Sequence, residues 1–233
     1  MLIIPVYNER ENILELVTRV RKASGSLPIL FVDDNSPDGT AEEIRRLQQS
    51  DDRICLMVRT GQRGYASACR EAMKKILAGN LAPYVIQADA DLSHPPELLP
   101  YMIALLEACP VVIGSRYVRG GGTRNWAWHR RWLSAGANLY ARLLTGVPVR
   151  DMTAGFVGYR AETLRRIDLD GMRSEGYAFL MELKFKLHRS GAVFSEFPII
   201  FVERASGLSK FNWKIALEGA RFPLRALKER LCG

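Results

Sequence analysis

Short apolar runs alternate with amphipathic segments along the first half of the chain. Five runs have the length of buried strands: residues 2–6, 28–32, 54–58, 84–88 and 111–114. Strands that alternate with helices in this way predict a mainly parallel sheet with helices on both faces. The pattern therefore predicts an α/β fold.

The segments between these runs have helical spacing of apolar residues. Helices are predicted from Ile13 to Val20, around Ile44 and Leu47, and over residues 64–77 and 95–108. Each helix would connect one parallel strand to the next by a right-handed crossover.

The character of the chain changes after Gly114. Residues 115–131 contain five arginines, three consecutive glycines and no acidic residue, which predicts a long, mobile basic loop. The elements predicted beyond it are a helix at 134–144, a short strand after 151, helices at 160–167 and 177–188, an extended segment at 192–202 and a final helix at about 212–231.

Polar residues follow the strands of the predicted sheet. These polar groups are residues 7–9, 33–38, 89–91 and 115–116. Ligands of parallel α/β sheets bind beyond the carboxyl ends of the strands, so these four groups are expected to converge.

Asp89 and Asp91 follow the fourth strand, one residue apart. Two close carboxylates repel each other, and bound Mg²⁺ or Mn²⁺ would convert the repulsion into coordination. The alternative is a turn in which Asp91 or Ser93 caps the helix that begins near Pro95. The motif by itself supports the two interpretations equally.

Residues 33–39 contain three carboxylates and no lysine or arginine. Carboxylates accept hydrogen bonds from ribose hydroxyls and base N–H groups, so this loop could bind a nucleoside. An Asx-turn with a helix N-cap would explain some of the same residues. Together with a metal at Asp89 and Asp91, the loop indicates a nucleotide-sugar site. The absence of a P-loop and of GxGxxG counts against a kinase and a dinucleotide oxidoreductase.

Composition narrows the classes of partner. The chain has 233 residues, of which 48% are hydrophobic and 25% charged, typical of a globular domain. The net charge of +8 suggests an anionic partner. No apolar run is long enough to span a bilayer and no signal peptide is recognised, so a cytosolic location is expected. The four cysteines have no metal or redox spacing.

Seven short motifs follow one another along the chain: IPVYNE at 4–9, VDDNSPDGT at 32–40, DAD at 89–91, GSRY at 114–117, GGGTRNW at 120–126, DMTAGF at 151–156 and GLSK at 207–210. In these motifs and their order the chain resembles inverting family 2 glycosyltransferases, and within them the dolichol (polyprenol) phosphate mannosyltransferase branch. The resemblance covers nearly the whole chain. It implies a GT-A fold, GDP-mannose as the donor and a divalent cation, Mg²⁺ or Mn²⁺.

The resemblance also implies roles on the donor side. The implied guanosine contacts are Pro5, Tyr7, Glu9, Val32 and Asp34, and the implied ribose-diphosphate and metal contacts are Asp89, Ala90 and Asp91. The family usually has Gln two positions after the second Asp, where this chain has Ser93. Three roles are open for Ser93: a direct metal ligand, a ligand through water, or no ligand.

Basic residues match the remaining positions of the family's site. Arg204 and Lys210 match the pair that closes over the donor diphosphate, and Arg116, Arg130 and Ser134 match the acceptor-phosphate contacts. A solvated basic loop is the alternative for Arg116 and Arg130.

The implied acceptor, a polyprenyl phosphate, is largely dianionic near neutral pH because its second pKa is about 6. It needs no strong general base, and one in-line displacement at C1 of the sugar would invert the anomeric configuration. We therefore expect His94 and His129 to be structural or solvated.

Two parts of the chain are expected: a catalytic domain at 1–210 and a C-terminal amphipathic helix at 211–233. The helix would contact a membrane surface or pack on the domain, both being open. The expected location is the cytoplasmic face of a membrane, bound peripherally or through an integral-membrane partner, without nucleic acid. Alternatives are another donor such as UDP-glucose and, in a different class, a non-catalytic module for anionic lipid or nucleic acid.

Overall fold

The computed structural model describes residues 1–61, 63–202 and 213–232; side chains of residues 213–216 are not included. The strands are β1 (Leu2–Val6), β2 (Ile29–Asp33), β3 (Ile54–Val58), β4 (Tyr84–Gln87), β5 (Val111–Ser115), β6 (Gly122–Arg124), β7 (Val157–Arg160), β8 (Phe194–Pro198) and β9 (Ile200–Val202). The helices are α1 (Arg10–Ala23), α2 (Thr40–Gln48), α3 (Tyr65–Ala78), α4 (Leu99–Ala108), α5 (Trp128–Thr145), α6 (Ala161–Leu164), α7 (Gly176–Arg189) and α8 (Trp213–Cys232).

Seven strands form the central sheet in the order β3-β2-β1-β4-β7-β5-β8. All neighbouring pairs are parallel except those of β7, which runs antiparallel between β4 and β5. The predicted α/β fold with a mainly parallel sheet is confirmed. β1, β2 and β4 therefore end at the same edge.

Alternate residues of the strands contribute to two apolar layers. Ile3 of β1 and Val32 of β2 lie in the core formed with α3 and α7, whereas Ile4 and Phe31 lie in the core formed with α1 and α2. Strands buried on both faces need apolar residues at nearly every position, which explains the continuous apolar runs of the sequence.

The segment 115–131, predicted as one long mobile loop, contains a strand and the start of a helix, so the prediction of an uninterrupted loop is wrong. Its residues 122–124 form β6, which pairs in parallel with β9, and α5 begins at Trp128 rather than Ser134. A Cβ on Gly121 would lie 2.5 Å from the carbonyl oxygen of Ser115, so glycine permits a close backbone contact here. The glycines fold the segment back onto the strand that precedes it.

Helix α8 packs against α5 and α7. Phe222 and Ala226 are buried, and the Phe222 ring meets the Phe185 ring of α7 edge to face. The Tyr140 hydroxyl of α5 donates to the Ala220 carbonyl at 3.0 Å. The helix was expected either to contact a membrane surface or to pack on the domain. Packing on the domain accounts for these residues. Within the described ranges, no helix is long and apolar enough to cross a membrane.

Candidate active site

Three strand ends of the sheet lead into turns with unusual backbone conformations. Asn8, Asn35 and Leu92 follow β1, β2 and β4, and their φ angles are 57°, 57° and 59°. Asparagine tolerates this left-handed region, but for leucine it costs about 1–3 kcal/mol. Leu92 lies directly after Asp91, so strain is concentrated at the carboxylate pair.

The loop after β2 uses two of its three carboxylates to build turns. Asp33 accepts the Ser36 amide at 3.1 Å, and Asp38 accepts the Thr40 amide at 3.0 Å and the Arg10 amide at 3.2 Å. Burial opposes ionisation of Asp38, but these hydrogen bonds outweigh it and lower its pKa. The turn interpretation accounts for Asp33 and Asp38.

Asp34 is held differently, by a buried network beneath the loop. Its carboxylate pairs with the Arg59 guanidinium and accepts the Gly64 amide at 2.7 Å. Arg59 also donates to Glu71 and Ser67, both at 2.8 Å. Asp34 therefore fixes the strand end to the start of α3, and its protein partners already occupy both of its oxygens.

The other predicted nucleoside contacts lie along the ends of β1 and β2. Tyr7 accepts a hydrogen bond from Arg63 at 3.0 Å, and the guanidinium lies 5.0 Å from the tyrosine ring centroid. The Glu9 carboxylate accepts the Asn12 side-chain amide at 2.7 Å. Pro5 is half-buried, whereas the Val32 side chain is fully buried in the core and can face no ligand.

The carboxylate pair after β4 lies in a tight turn. Asp91 accepts the Ser93 amide at 3.0 Å, and Ala90 between the two aspartates is buried. The Ser93 hydroxyl is enclosed, and among the described residues it has no hydrogen-bond partner. Direct coordination of a metal by this hydroxyl would require the turn to move. The turn exists, but no side chain caps the short 3₁₀ helix at Pro96–Leu98 that follows it.

His94 is a structural residue, as predicted. The Asp89 amide donates to its Nδ1 at 3.0 Å, and its ring stacks on Phe156 with centroids 5.4 Å apart. His129 is exposed at the start of α5. Neither position suggests a general base.

Asp89 is partly enclosed, with 34% of its side chain exposed. Desolvation raises the pKa of its carboxyl, His94 opposes the rise, and repulsion from Asp91 adds to it. A Cβ on Gly155 would lie 3.1 Å from the Tyr65 hydroxyl, 3.3 Å from His94 Cε1 and 3.7 Å from Asp89 Oδ1. Glycine at position 155 therefore permits the backbone to pack closely against Tyr65, His94 and Asp89.

This donor set suits a divalent cation. Two carboxylates supply the oxygen ligands that Mg²⁺ and Mn²⁺ prefer, and a cation would relieve the repulsion between Asp89 and Asp91. The part of the chain that the structure describes has no group of three or more His, Cys, Asp or Glu side chains placed to hold a metal. Water and a nucleotide's phosphates would therefore complete the coordination.

Arg116, at the end of β5, is anchored in the protein interior. Its Nε and Nη2 donate to the Asp151 carboxylate at 2.8 and 2.6 Å, and Nη2 also donates to the Thr153 hydroxyl at 2.7 Å. Asp151 is fully buried, and although its burial favours the neutral form, Arg116 holds its pKa below the usual value. The alternative of a solvated arginine is therefore wrong for Arg116.

An aromatic and basic cavity of about 320 Å³ lies beside Arg116. Its lining residues are Arg116, Tyr117, Gly122, Thr123, Trp126, Arg131, Trp132 and Ala135. The Arg130 guanidinium stacks over Trp126 at 4.3 Å from the ring centroid, and the Tyr117 hydroxyl donates to Ser134 at 2.7 Å. Arg116 thus lines the cavity, whereas Arg130 and Ser134 each contact one of its lining residues. Arg204 and Lys210 lie outside the described residues.

Sequence reasoning missed several residues that shape this site. Asp151 and Gly155 were noted only as part of a family motif, and Tyr65, Arg63 and Lys184 were not singled out. A carboxylate in the apolar context of residues 147–157 was the one available signal, since an aspartate there needs a buried partner.

Residues 1–168 match the family model described as glycosyl transferase family 2. The chain belongs to this family. This membership argues against a non-catalytic binding module. The predicted family is confirmed.

Curated relatives in this glycosyltransferase family are similar over almost the whole chain. A polyprenol monophosphomannose synthase of Mycolicibacterium smegmatis is 42% identical over 91% of the chain and 80% of its own length. An undecaprenyl-phosphate mannosyltransferase of Micrococcus luteus is 38% identical over 93% and 88%. A dolichol-phosphate mannosyltransferase of Pyrococcus furiosus is 37% identical over 97% of the chain and 63% of its own length.

Solved structures confirm the GT-A-like fold. Glucosyl-3-phosphoglycerate synthase from Mycobacterium tuberculosis in complex with UDP has a TM-score of 0.66 at 16% identity, over 97% of this chain and 79% of that one. A complex of that enzyme with Mn²⁺, UDP-glucose and phosphoglyceric acid has a TM-score of 0.63 at 15% identity, over 98% and 78%.

Proposed function

We propose that the chain transfers mannose from GDP-mannose to a polyprenyl phosphate with inversion, giving polyprenyl-phosphate mannose. The observation that carries the proposal is the aromatic cavity lined by Arg116 and Arg131, with Arg130 and Ser134 each in contact with one of its lining residues. A site of this charge fits a phosphate head group, and its aromatic wall fits the first apolar units of a lipid. The names of the three curated relatives support the same transfer.

The proposed reaction needs the chain to hold two anions close together. Asp89 and Asp91 would hold a divalent cation that neutralises the departing diphosphate, while Arg116 and Arg130 orient the acceptor phosphate. The phosphate oxygen attacks C1 of the sugar and the diphosphate leaves on the opposite side. The Arg116 guanidinium cannot turn away easily, because Asp151 fixes it through two hydrogen bonds. Its preset position lowers the entropic cost of aligning the nucleophile.

The donor and the stereochemistry can be tested together. The purified chain is given Mn²⁺, a polyprenyl phosphate and either GDP-mannose or UDP-glucose, and NMR spectroscopy identifies the anomer of the lipid product. The proposal expects β-linked mannose from α-linked GDP-mannose. Transfer from UDP-glucose alone would overturn the assigned donor, and an α-linked product would overturn inversion.

The proposal places the protein peripherally at the cytoplasmic face of a membrane, with α5 as the contact surface. Trp128, Trp132, Leu139 and Leu143 are well exposed, and they fall within an arc of about 60° on a helix of 3.6 residues per turn. Tryptophans favour the membrane interface, and the exposed Arg131 complements anionic lipid. Trp132 and Arg131 also line the acceptor cavity, so this face would bring the cavity to the lipid.

A further inference from the structure

Lys184 of α7 is fully buried beneath the segment 151–155. Its Nζ donates to the carbonyl oxygens of Ala154 at 2.9 Å, Met152 at 3.1 Å and Leu180 at 3.4 Å. An ammonium has three donors, and all three meet main-chain carbonyls here. Two of these carbonyls belong to the segment above the lysine.

The segment 151–155 connects the two halves of the site. At one end, Asp151 fixes Arg116 beside the acceptor cavity. At the other end, the backbone at Gly155 packs closely beside Tyr65, His94 and Asp89. Lys184 binds the segment between these two ends, so its amine can affect the position of both ends.

A lysine at this position is costly for the fold. Burial lowers the pKa of Lys184 from 10.5 to about 7; Asp151 opposes that shift, Arg116 adds to it and Glu196 opposes it. Glu196 itself accepts the amides of Arg150 at 2.8 Å and Asp151 at 3.0 Å. A leucine or methionine would fill the same core at less electrostatic cost, so the amine is expected to have a task besides packing.

We propose that Lys184 is a positioning residue. Its amine holds the carbonyls of Met152 and Ala154, and this keeps Asp151 in place at the acceptor half of the site and Gly155 in place at the donor half. It touches neither substrate and acts through Asp151 and Arg116. The inference rests on the proposed function for its kinetic consequence, but its structural consequence can be measured separately.

The test compares Lys184→Met, which keeps the side chain's length and removes the donors, with Lys186→Met. Lys186 lies on the same helix and is only partly buried, and within the described residues the bonds to Met152 and Ala154 come from Lys184 and not from Lys186. Hydrogen exchange at amides 152–156 is measured first. We expect it to accelerate in Lys184→Met and to stay unchanged in Lys186→Met.

Kinetics then test the functional consequence. Lys184→Met should lower kcat/KM for the polyprenyl phosphate by on the order of 100-fold, because small misplacements of a positioned group have effects of that size. Binding of GDP without metal should stay at the wild-type level, since the nucleoside loops do not contact Lys184. In the double variant that combines Lys184→Met with Arg116→Gln, the fold loss in kcat/KM should be far smaller than the product of the losses in the two single variants.

Three results would overturn the inference: unchanged exchange in Lys184→Met, unchanged acceptor kinetics, or losses that multiply with those of Arg116→Gln. If Lys184→Met does not fold, Lys184→Gln, which keeps an amide donor, takes its place in the same comparisons. If the wild-type protein makes no lipid-linked mannose, the proposed function fails, while the exchange result still decides whether Lys184 holds the segment.

Discussion

Gly155 packs so closely beside Tyr65, His94 and Asp89 that a single added methyl group would disturb the carboxylate turn. Gly155→Ala would place a Cβ 3.1 Å from the Tyr65 hydroxyl and 3.3 Å from His94 Cε1. These contacts are tighter than van der Waals distance, so the carboxylate turn would have to shift. We expect metal-dependent transfer to fall by on the order of 100-fold, with a modest loss of thermal stability.

A second glycine provides the control for that substitution. Gly136 lies in α5, and no described atom lies within 4 Å of the Cβ that alanine would add. Gly136→Ala should leave transfer unchanged and, on helix propensity, increase stability by up to about 1 kcal/mol. Equal activity in Gly155→Ala and Gly136→Ala would show that transfer does not depend on the close packing of residue 155 beside Asp89.

The buried amine of Lys184 is expected to make the stability of the fold depend on pH. Its pKa falls from 10.5 to about 7 on folding because of burial, so unfolding takes up a proton between these two values. The free energy of unfolding should therefore rise with pH across that range. The slope from this group approaches about 1.4 kcal/mol per pH unit.

Urea denaturation of the wild-type protein and Lys184→Met at pH 7 and pH 9 measures this effect. The stability of the wild-type protein relative to the variant should increase from pH 7 to pH 9, since methionine does not titrate. A difference that stays constant or shrinks would contradict a depressed pKa for the buried amine.

Individual residues differ in how far the sequence identified them. Asp89 and Asp91 were found because carboxylates at the end of an apolar strand are unusual, and Arg116 was found through a motif. The partnership of Arg116 with Asp151 was not found, because the two residues are 35 positions apart and only the fold brings them together. Gly155 carries no side chain whose chemistry could identify it.

Among the described side chains, helix α5 exposes six large apolar residues and α8 exposes two. Phe222 and Ala226 of α8 are buried, while Trp132 and Leu139 of α5 are 75% and 56% exposed. The double substitution Trp132→Ser and Leu139→Ser should weaken binding to anionic phospholipid vesicles by roughly tenfold or more, since each side chain contributes about 1.5–3 kcal/mol when fully buried. Cosedimentation with the vesicles measures this change.

The exposed leucines of α8 are the matched control for that measurement. Leu224→Ser and Leu231→Ser also remove two exposed apolar side chains, but from the other helix. If the α8 pair weakened vesicle binding and the α5 pair did not, the contact surface would have to be assigned to α8. If neither pair changed it, docking through a membrane protein would be favoured.

At the level of elements, the sequence predicted the parallel strands and their helices because each is a local pattern of apolar residues. It did not predict that β7 inserts antiparallel between β4 and β5, because strand pairing depends on the whole sheet. It also predicted one uninterrupted loop at residues 115–131, where the structure has β6 and the start of α5. The pairing of β6 with β9 depends on residues nearly eighty positions away in the chain, and local composition contains no information about it.

The proposed donor and acceptor regions both lie beyond the carboxyl ends of strands of the central sheet. The carboxylate pair after β4 would hold a cation for the donor, and the arginines beyond β5 would hold the acceptor phosphate. A net charge of +8 on the chain favours the approach of both anionic substrates and of an anionic membrane. The arrangement is consistent with the mannosyl transfer named for the curated relatives.

Metal-dependent formation of polyprenyl-phosphate mannose is the decisive test of the proposed mannosyl transfer. Radiolabelled lipid is measured after the purified protein is incubated with labelled GDP-mannose, Mn²⁺ and polyprenyl phosphate, for the wild type, Asp91→Ala and Asp52→Ala. Asp52 is 97% exposed and serves as the control. We predict product from the wild type and Asp52→Ala and a loss of at least about 100-fold in Asp91→Ala, as for removal of a charge-stabilising group. Wild-type levels of product from Asp91→Ala would contradict the assignment of the carboxylate pair as the metal and donor site.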